Sequence, residues 1–238
     1  MLGRPAIGPL LGPHARAVVM QDPGGFAQQA RFVAKPPPAD ASAALRHVVA
    51  TQGDLRAAGD RVYEKMSQMR FPLQTPFPRT SIGGQLGSAS RLIAAGVDVP
   101  VIKVSADSFD THTFQHNQHD RLVTELGAAL AAFRRAMDER NTWGRVTVMT
   151  YAEFGRRPAE NSAQGTDHGR AAPHFVLGGK VKGGFHGRQP GLDDLDSTGN
   201  LRHAVEFRAL YATVPARWWG IAPTPALGRG FPTLDLFV

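Results

Sequence analysis

The apolar positions of the chain recur at helical spacing in several long stretches. The stretches that predict helices are 40–69, 80–96, 117–140 and 203–214. Asp40 or Ser42 can cap the first helix, and Thr80 or Ser81 begins the second. Gly96 supplies the glycine that commonly ends a helix. The pattern therefore predicts a chain whose middle is rich in long helices.

Runs of β-forming residues lie between and after these helices. They predict strands over 99–105, 145–150, 174–177 and 181–186, the last two joined as a hairpin. Val101 and Ile102 are adjacent apolar residues, as in a strand buried on both faces. The segments 21–39 and 150–169 are predicted as loops, and a short strand is predicted over 15–20. Strands that alternate with helices predict an α/β fold with a mostly parallel central sheet.

Composition narrows the class of protein. The chain has 238 residues, of which 42% are apolar and 20% charged, which predicts one large soluble domain over 1–238. The net charge of +7 favours anionic partners. No run of Lys and Arg resembles a nucleic-acid-binding arm, so nucleic acid is not a predicted partner; only steeply salt-dependent DNA binding would revive that hypothesis. Cysteine is absent, which excludes disulfides and thiolate metal ligands.

Export and membrane insertion also leave sequence signals. No apolar run reaches the ~18 residues that a membrane helix needs, so no membrane span is predicted. The segment 1–19 lacks the charged start and uninterrupted apolar core of a signal peptide. The sequence is therefore compatible with a cytoplasmic location for this chain.

Carboxylates and histidines follow two of the predicted strands. Asp110 and His112 come shortly after the first, and Asp167-His168 lie in the loop after the second. Loops at the carboxyl ends of parallel strands build active sites in open sheets, which predicts a metal or acid–base site here. His116 and His119 would share one helical face with His112. The alternative is a polar helix start with solvated histidines.

The segment 150–169 contains further candidates, each with a structural alternative. Glu153 is a candidate metal ligand or general base, or else a surface carboxylate paired with an arginine. Arg156 is suited to holding an anionic substrate, or to a salt bridge with Glu153. Asn161 can orient a substrate or form a turn. Glycines flank Asp167 and His168, which suits close approach to a ligand or an ordinary turn.

Six motifs in a fixed order resemble the bacterial DUF1501 proteins. They are FDTH, TYAEFGRRPAEN, GTDHG, FVLGGKVKGG, HGRQPGL and EFRALYATV. The resemblance implies membership of the alkaline phosphatase and sulfatase superfamily. It further implies a three-layer α/β sandwich, one or two divalent metal ions such as Zn or Mn, and hydrolysis of phosphate or sulfate esters.

The same resemblance implies roles for individual residues. Asp110, His112 and His168 look like metal ligands, and Glu153 takes the place where the superfamily carries Asp-His. Phe154 stands where the second histidine is expected, which puts a second metal in doubt. The residues expected to bind a small anionic ester are Arg156, Asn161 and Asp167, and the weaker ligand candidates are His116 and His119.

The beginning of the chain departs from the family pattern. Family members are exported and begin with a strand and a Gly-Asp-Gly turn, neither of which precedes Ala15. The chain therefore resembles the C-terminal two-thirds of a member, and the fold is predicted to be incomplete at its N-terminus. Two functions follow: a metal-dependent ester hydrolase, or a catalytically degenerate binding or export-associated module.

Overall fold

The computed structural model describes residues 17–30, 40–222 and 230–238. The α-helices are α1 (Pro23–Gln29), α2 (Ala43–Ser67), α3 (Ser81–Ala94), α4 (Gln115–Glu139) and α5 (Phe207–Thr213). The strands are β1 (Thr147–Met149), β2 (Gly155–Glu160), β3 (Thr166–Gly169) and β4 (Val176–Gly178). A 3₁₀ turn covers Trp143–Arg145 and a π turn covers Val214–Trp218.

Two compact units contain these elements. The helical unit consists of the described residues up to 109 together with 121–142. The hairpin unit consists of 110–120 and the described residues from 143 onward. The assignment of residues 1–238 to a single DUF1501-type domain stays a prediction.

The helical unit is held by apolar packing between helices. α2 contacts both α1 and α3, and its core is formed by Ala27, Val62 and Leu92. The partly buried side chains that pack on this core are Met20, Phe26, Met66 and Val97. Gly59 of α2 permits the close approach of α1, since a Cβ atom at this position would lie 2.4 Å from the Cβ atom of Ala30.

The predicted long helices are confirmed, with ends that differ by a few residues. The Ser42 hydroxyl accepts a hydrogen bond from the Leu45 amide (3.2 Å), which caps α2. The Thr80 hydroxyl caps α3 in the same way. Gly96 follows α3 with φ of +70°, a conformation that glycine adopts without strain.

The predicted strand over 99–105 is wrong. No described residue of this segment belongs to a strand, and Val99 and Val101 are 43% and 42% exposed. At the end of the segment, the backbone of Ser105 forms hydrogen bonds with the buried side chain of Gln85 and not with a neighbouring strand. Gln85 accepts a hydrogen bond from the Ser105 amide (2.9 Å) and donates one to the Ser105 carbonyl oxygen (2.9 Å).

The α/β sandwich with a mostly parallel sheet is also wrong. The described strands form two separate two-stranded sheets, β1 with β4 and β2 with β3, and both pairs are antiparallel. β2 and β3 are neighbours in the chain and pair as a hairpin, whereas β1 pairs with β4 across the segment that contains them. No described helix lies between β1 and β4, so the helical crossover that commonly connects parallel strands is missing. Residues 17–30, 40–222 and 230–238 therefore do not form an alkaline-phosphatase-like fold.

Residues 155–169, within the segment predicted as a loop, form the β2–β3 hairpin. Gly155 lies opposite Gly169, Arg156 opposite His168, and Glu160 opposite Thr166. The register shifts between Arg156 and Glu160, and this irregularity accommodates Pro158, which cannot donate to a regular ladder.

The predicted hairpin over 174–186 is wrong in its second half. β4 pairs with β1, whereas Val181 forms an antiparallel bridge with Phe237. The predicted helix over 203–214 begins later, at Phe207, and continues into the π turn. The predicted loop over 21–39 contains α1, and its Pro36–Pro38 part lies outside the described residues, as does the start of a strand predicted over 15–20.

Within the described residues, no helix has the length and apolar character needed to cross a bilayer.

Candidate metal centre

Three predicted ligands converge in the hairpin unit. Asp110 and His112 precede α4, and His168 lies in β3. The Nε2 atoms of His112 and His168 are 3.0 Å apart. Asp110 Oδ1 lies 2.9 Å from Nε2 of His112 and 2.7 Å from Nε2 of His168. Three potential ligand atoms therefore surround one point in space.

Main-chain hydrogen bonds attach the segment around Asp110 and His112 to the turn of the hairpin. The Phe114 amide donates to the Ala163 carbonyl oxygen (3.0 Å), and the Gln115 amide donates to that of Gln164 (2.9 Å). These bonds hold the segment that carries two of the ligands against the hairpin that carries the third.

The side chain of Gln115 reinforces this attachment. Its amide nitrogen donates to the buried Thr111 hydroxyl (3.0 Å), and its oxygen accepts from the Thr166 hydroxyl (2.9 Å). Gln115 thus connects the residue between Asp110 and His112 to the first residue of β3. Sequence reasoning assigned Gln115 no role in the site.

The backbone near the site is closely packed and locally strained. A Cβ atom at Gly165 would lie 2.3 Å from the His112 carbonyl oxygen, so only glycine fits there. Phe114 and Gln164 have φ of +44° and +59°, a region that bulky residues rarely adopt. Such conformations persist where the surrounding contacts enforce them, often at functional sites.

Asn161 forms the turn of the hairpin. Its side-chain oxygen accepts hydrogen bonds from the Ala163 amide (2.9 Å) and the Gly165 amide (3.1 Å). Its Nδ2 donates to the His112 carbonyl oxygen and to Asp167 Oδ1, each at 3.2 Å. These bonds match the turn-forming alternative for Asn161.

Asp167 lies behind His112. Its Oδ1 is 3.8 Å from Nδ1 of His112, whose Nε2 faces Asp110. At 3.8 Å this is an ion-pair contact and not a hydrogen bond. A carboxylate near the outer nitrogen of an imidazole can orient a metal-binding histidine when it approaches to hydrogen-bond distance.

Arg156 lies at the edge of the cluster, opposite His168 in the hairpin register. Its Nη1 donates to the Thr166 carbonyl oxygen (2.5 Å), and its Nη2 is 3.9 Å from Asp110 Oδ1. Phe154 stacks on the His168 ring, with centroids 3.8 Å apart and planes at 8°, and its own centroid is 5.0 Å from the Arg156 guanidinium carbon. Phe154 thus covers one face of a candidate ligand.

The cluster is open to solvent. The side chains of Asp110, His112 and His168 are 62%, 42% and 45% exposed. The hydrogen bond from His168 lowers the pKa of Asp110. Desolvation opposes this shift, and the charges of the two histidines and the hydrogen bond from His112 lower the pKa further. The Asp110 carboxylate is therefore ionised at neutral pH and available as a ligand.

The remaining candidates lie outside this group. Among the described residues, Asp110, His112 and His168 form the one group of three or more His, Asp or Glu residues with ligand atoms within 4.8 Å. Glu153 is exposed in the segment before β2. His116 and His119 are exposed in the first turns of α4. Their proposed roles as ligands stay predictions.

The donor set suits a borderline divalent ion. Two imidazoles and one carboxylate are ligands that zinc, manganese and iron accept, and three protein ligands leave coordination positions for water or substrate.

The stacking of Phe154 on His168 was not predicted from the sequence, where Phe154 was recognised only as the residue at the position of an expected histidine. A single aromatic residue one position before β2 is too weak a signal to predict that contact.

Comparison with known proteins gives a family but no characterised relative. No curated protein and no solved structure matches the chain. The model of the family described as "Protein of unknown function (DUF1501)" matches residues 28–226, which is more than half of the chain. This match agrees with the resemblance of the motifs quoted above, and the chain belongs to the DUF1501 family.

Proposed function

We propose that this protein is a metal-dependent hydrolase that acts on a small anionic ester of the phosphate or sulfate type. The observation that carries the proposal is the mutual approach of Asp110 Oδ1, His112 Nε2 and His168 Nε2 to 2.7–3.0 Å. The proposal rests on this geometry and on Arg156 beside it, and it does not depend on an alkaline-phosphatase-like fold.

Hydrogen bonding alone accounts poorly for this arrangement. Two imidazole nitrogens and one carboxylate oxygen are in mutual contact, so either two N–H groups face each other or one close pair lacks a proton. A shared cation satisfies all three lone pairs. The three atoms lie 2.7–3.0 Å from one another, close enough to face one ion.

The residues of the site have complementary roles in this proposal. Asp110, His112 and His168 would hold the ion, which when bound would polarise an ester oxygen and activate a water molecule. Asp167 would orient His112 through its outer nitrogen. Arg156 would bind the anionic group of the ester, because its guanidinium lies beside the ligands and matches phosphate or sulfate oxygens with paired donors. Glu153 stays a candidate general base.

The exposure of the site favours a second candidate, a metal-binding module without turnover. Electrostatic catalysis is strongest where water is excluded, and all three ligand side chains are more than 40% exposed. The two candidates share the metal and differ in turnover, so one series of measurements separates them.

The first measurement is the metal content per chain by inductively coupled plasma mass spectrometry, after incubation with Zn²⁺ or Mn²⁺ and dialysis. We expect the wild type to retain metal and His112→Ala/His168→Ala to lose it. His116→Ala/His119→Ala is the matched control, because it removes two nearby exposed histidines outside the triad. A folded wild type without metal, or equal loss in both double variants, would overturn the assignment.

Turnover is then measured with p-nitrophenyl phosphate and p-nitrophenyl sulfate. For a hydrolase, we expect release of p-nitrophenol that His112→Ala/His168→Ala abolishes. Arg156→Gln should lower kcat/KM by about 10-fold or more, while metal content stays unchanged, since a bidentate contact to the anion is lost. Bound metal without turnover of either ester would contradict the hydrolase and support the binding module.

A further inference from the structure

A groove on the hairpin unit is separate in its residues from the metal centre. It encloses about 360 Å³, and its lining includes Arg145, Lys180, Arg217, Trp218 and Phe237. We call it the basic groove. Small-molecule sites occupy about 300–1,000 Å³, so the volume of the groove suits a small ligand. Its lining is more polar than apolar, which suits a charged ligand.

Main-chain pairing builds one wall of the basic groove. The Val238 amide donates to the Lys180 carbonyl oxygen (3.0 Å), and the Lys182 amide donates to that of Leu236 (2.8 Å). The Gly179 amide donates to the Trp143 carbonyl oxygen (3.1 Å), which fixes the 3₁₀ turn that carries Arg145. Main-chain hydrogen bonds therefore hold the segments that line the groove in place.

The π turn Val214–Trp218 supplies Arg217 and Trp218. The Trp219 amide donates to the Val214 carbonyl oxygen at 3.3 Å, five residues back. π turns are rare, and they occur frequently at functional sites because the wider turn redirects side chains. The Trp218 ring packs against the Phe237 ring, with centroids 5.5 Å apart, and forms an aromatic wall.

The basic side chains of the groove form no close ion pair with a described acidic group. Within the part of the chain that the structure describes, no acidic group lies within 4.0 Å of a nitrogen of Arg145, Lys180 or Arg217. Asp235 is influenced by Arg217, but its carboxylate is held by Lys182 at 2.5 and 2.6 Å. Three cations in one groove create a potential that attracts a compact anion.

We propose that the basic groove binds a small molecule with a phosphate- or sulfate-type head and a flat apolar body. Arg145, Lys180 and Arg217 bind the head, and the aromatic wall of Trp218 and Phe237 contacts the body. This site is independent of the proposed metal centre and of its reaction.

The test is isothermal titration calorimetry of the whole chain with 1-naphthylmethylphosphonate, which a hydrolase cannot cleave as an ester, and with inorganic phosphate. We expect the naphthyl probe to bind at least tenfold more tightly than inorganic phosphate, because only the former covers the aromatic wall. Arg145→Gln/Lys180→Gln/Arg217→Gln should weaken the naphthyl probe at least tenfold. His112→Ala/His168→Ala should leave its affinity unchanged, which separates this site from the metal centre.

The matched control is Arg56→Gln/Arg121→Gln/Arg134→Gln, which removes the same charge from exposed helical positions. It should leave affinity within about twofold, since those arginines lie outside the groove and form exposed ion pairs on helices. Lys180→Gln alone, at an exposed side chain, should weaken binding severalfold and serves if the triple variant unfolds. Absence of binding, equal loss in the control, or equal affinity for both probes would each overturn the proposal.

Discussion

The helical unit and the hairpin unit are stabilised in different ways. In the helical unit, long helices pack apolar faces around Ala27, Val62 and Leu92. In the hairpin unit, strands of three to six residues are connected by hydrogen bonds from polar side chains, such as those of Asn161 and Gln115. Apolar packing leaves a periodic signal in the sequence, whereas polar turns leave almost none.

The two units also differ in what they offer chemically. The candidate metal centre and the basic groove both belong to the hairpin unit, on loops, turns and strand ends. Loops can present polar groups to solvent ligands because they need not bury an apolar face. In the helical unit, buried polar side chains such as Gln85 bond to the main chain and support the fold.

The largest loss of stability is expected at Gly165, where the hairpin turn packs against the segment that carries His112. Gly165→Ala places a Cβ atom 2.3 Å from the His112 carbonyl oxygen, so the two segments must separate. We expect a loss of about 3 kcal/mol in the free energy of unfolding, at the upper end for overpacking, and loss of metal retention. Urea unfolding and metal analysis measure both.

The control for that prediction is Gly183→Ala in the same unit, where an added Cβ atom meets nothing within 4 Å. Its unfolding free energy should stay within about 0.5 kcal/mol of the wild type. Equal unfolding free energies for Gly165→Ala and Gly183→Ala would contradict the close packing of this turn.

A smaller effect is expected in the helical unit, where two glycines of α2 should respond in opposite directions. Gly59→Ala brings a Cβ atom 2.4 Å from that of Ala30 and should destabilise the protein by about 1–3 kcal/mol. Gly53→Ala meets nothing within 4 Å and should stabilise it by about 0.5–1 kcal/mol through helix propensity. Thermal and urea unfolding measure the difference, and stabilisation by both would show that α1 does not pack closely at Gly59.

The smallest expected effect on the free energy of unfolding depends on pH and comes from an ion pair at the start of α5. Two hydrogen bonds from the Arg208 guanidinium lower the pKa of Glu206 from 4.5 to about 2. Because the folded state favours the ionised form, this stabilisation is complete above about pH 4.5 and is lost as the pH falls toward about 2. Urea unfolding should show wild type more stable than Glu206→Gln near neutral pH, with the difference vanishing near pH 2. A difference independent of pH would argue against this ion pair.

The sequence predicted the helices well and the strands poorly, for a physical reason. Helical hydrogen bonds join residues four apart, so capping residues such as Ser42 and an apolar periodicity identify a helix locally. The segment 99–105 has β-forming residues, yet the backbone of Ser105 forms hydrogen bonds with the side-chain amide of Gln85 where a neighbouring strand was expected. A strand requires a partner, and the local sequence does not specify which one.

In the candidate site, too, the sequence predicted one part and the tertiary structure decided another. Asp110, His112 and His168 were chosen from the sequence by residue type, and the structure brings their ligand atoms together across more than 50 residues of chain. Glu153 was chosen on the same grounds and lies outside the group. Residue type identified the candidates, and the hydrogen bonds between 110–115 and the hairpin turn selected among them.

The sequence alone determined the family, the positions of the long helices and the chemical types of the candidate ligands. Those properties depend on motifs and periodicities that neighbouring residues carry. Only the tertiary structure decided that the described strands pair antiparallel in two small sheets, in place of the expected sandwich, and that three candidate ligand atoms meet. Such features depend on contacts between distant segments through main-chain groups, which every residue except proline can make in the same way.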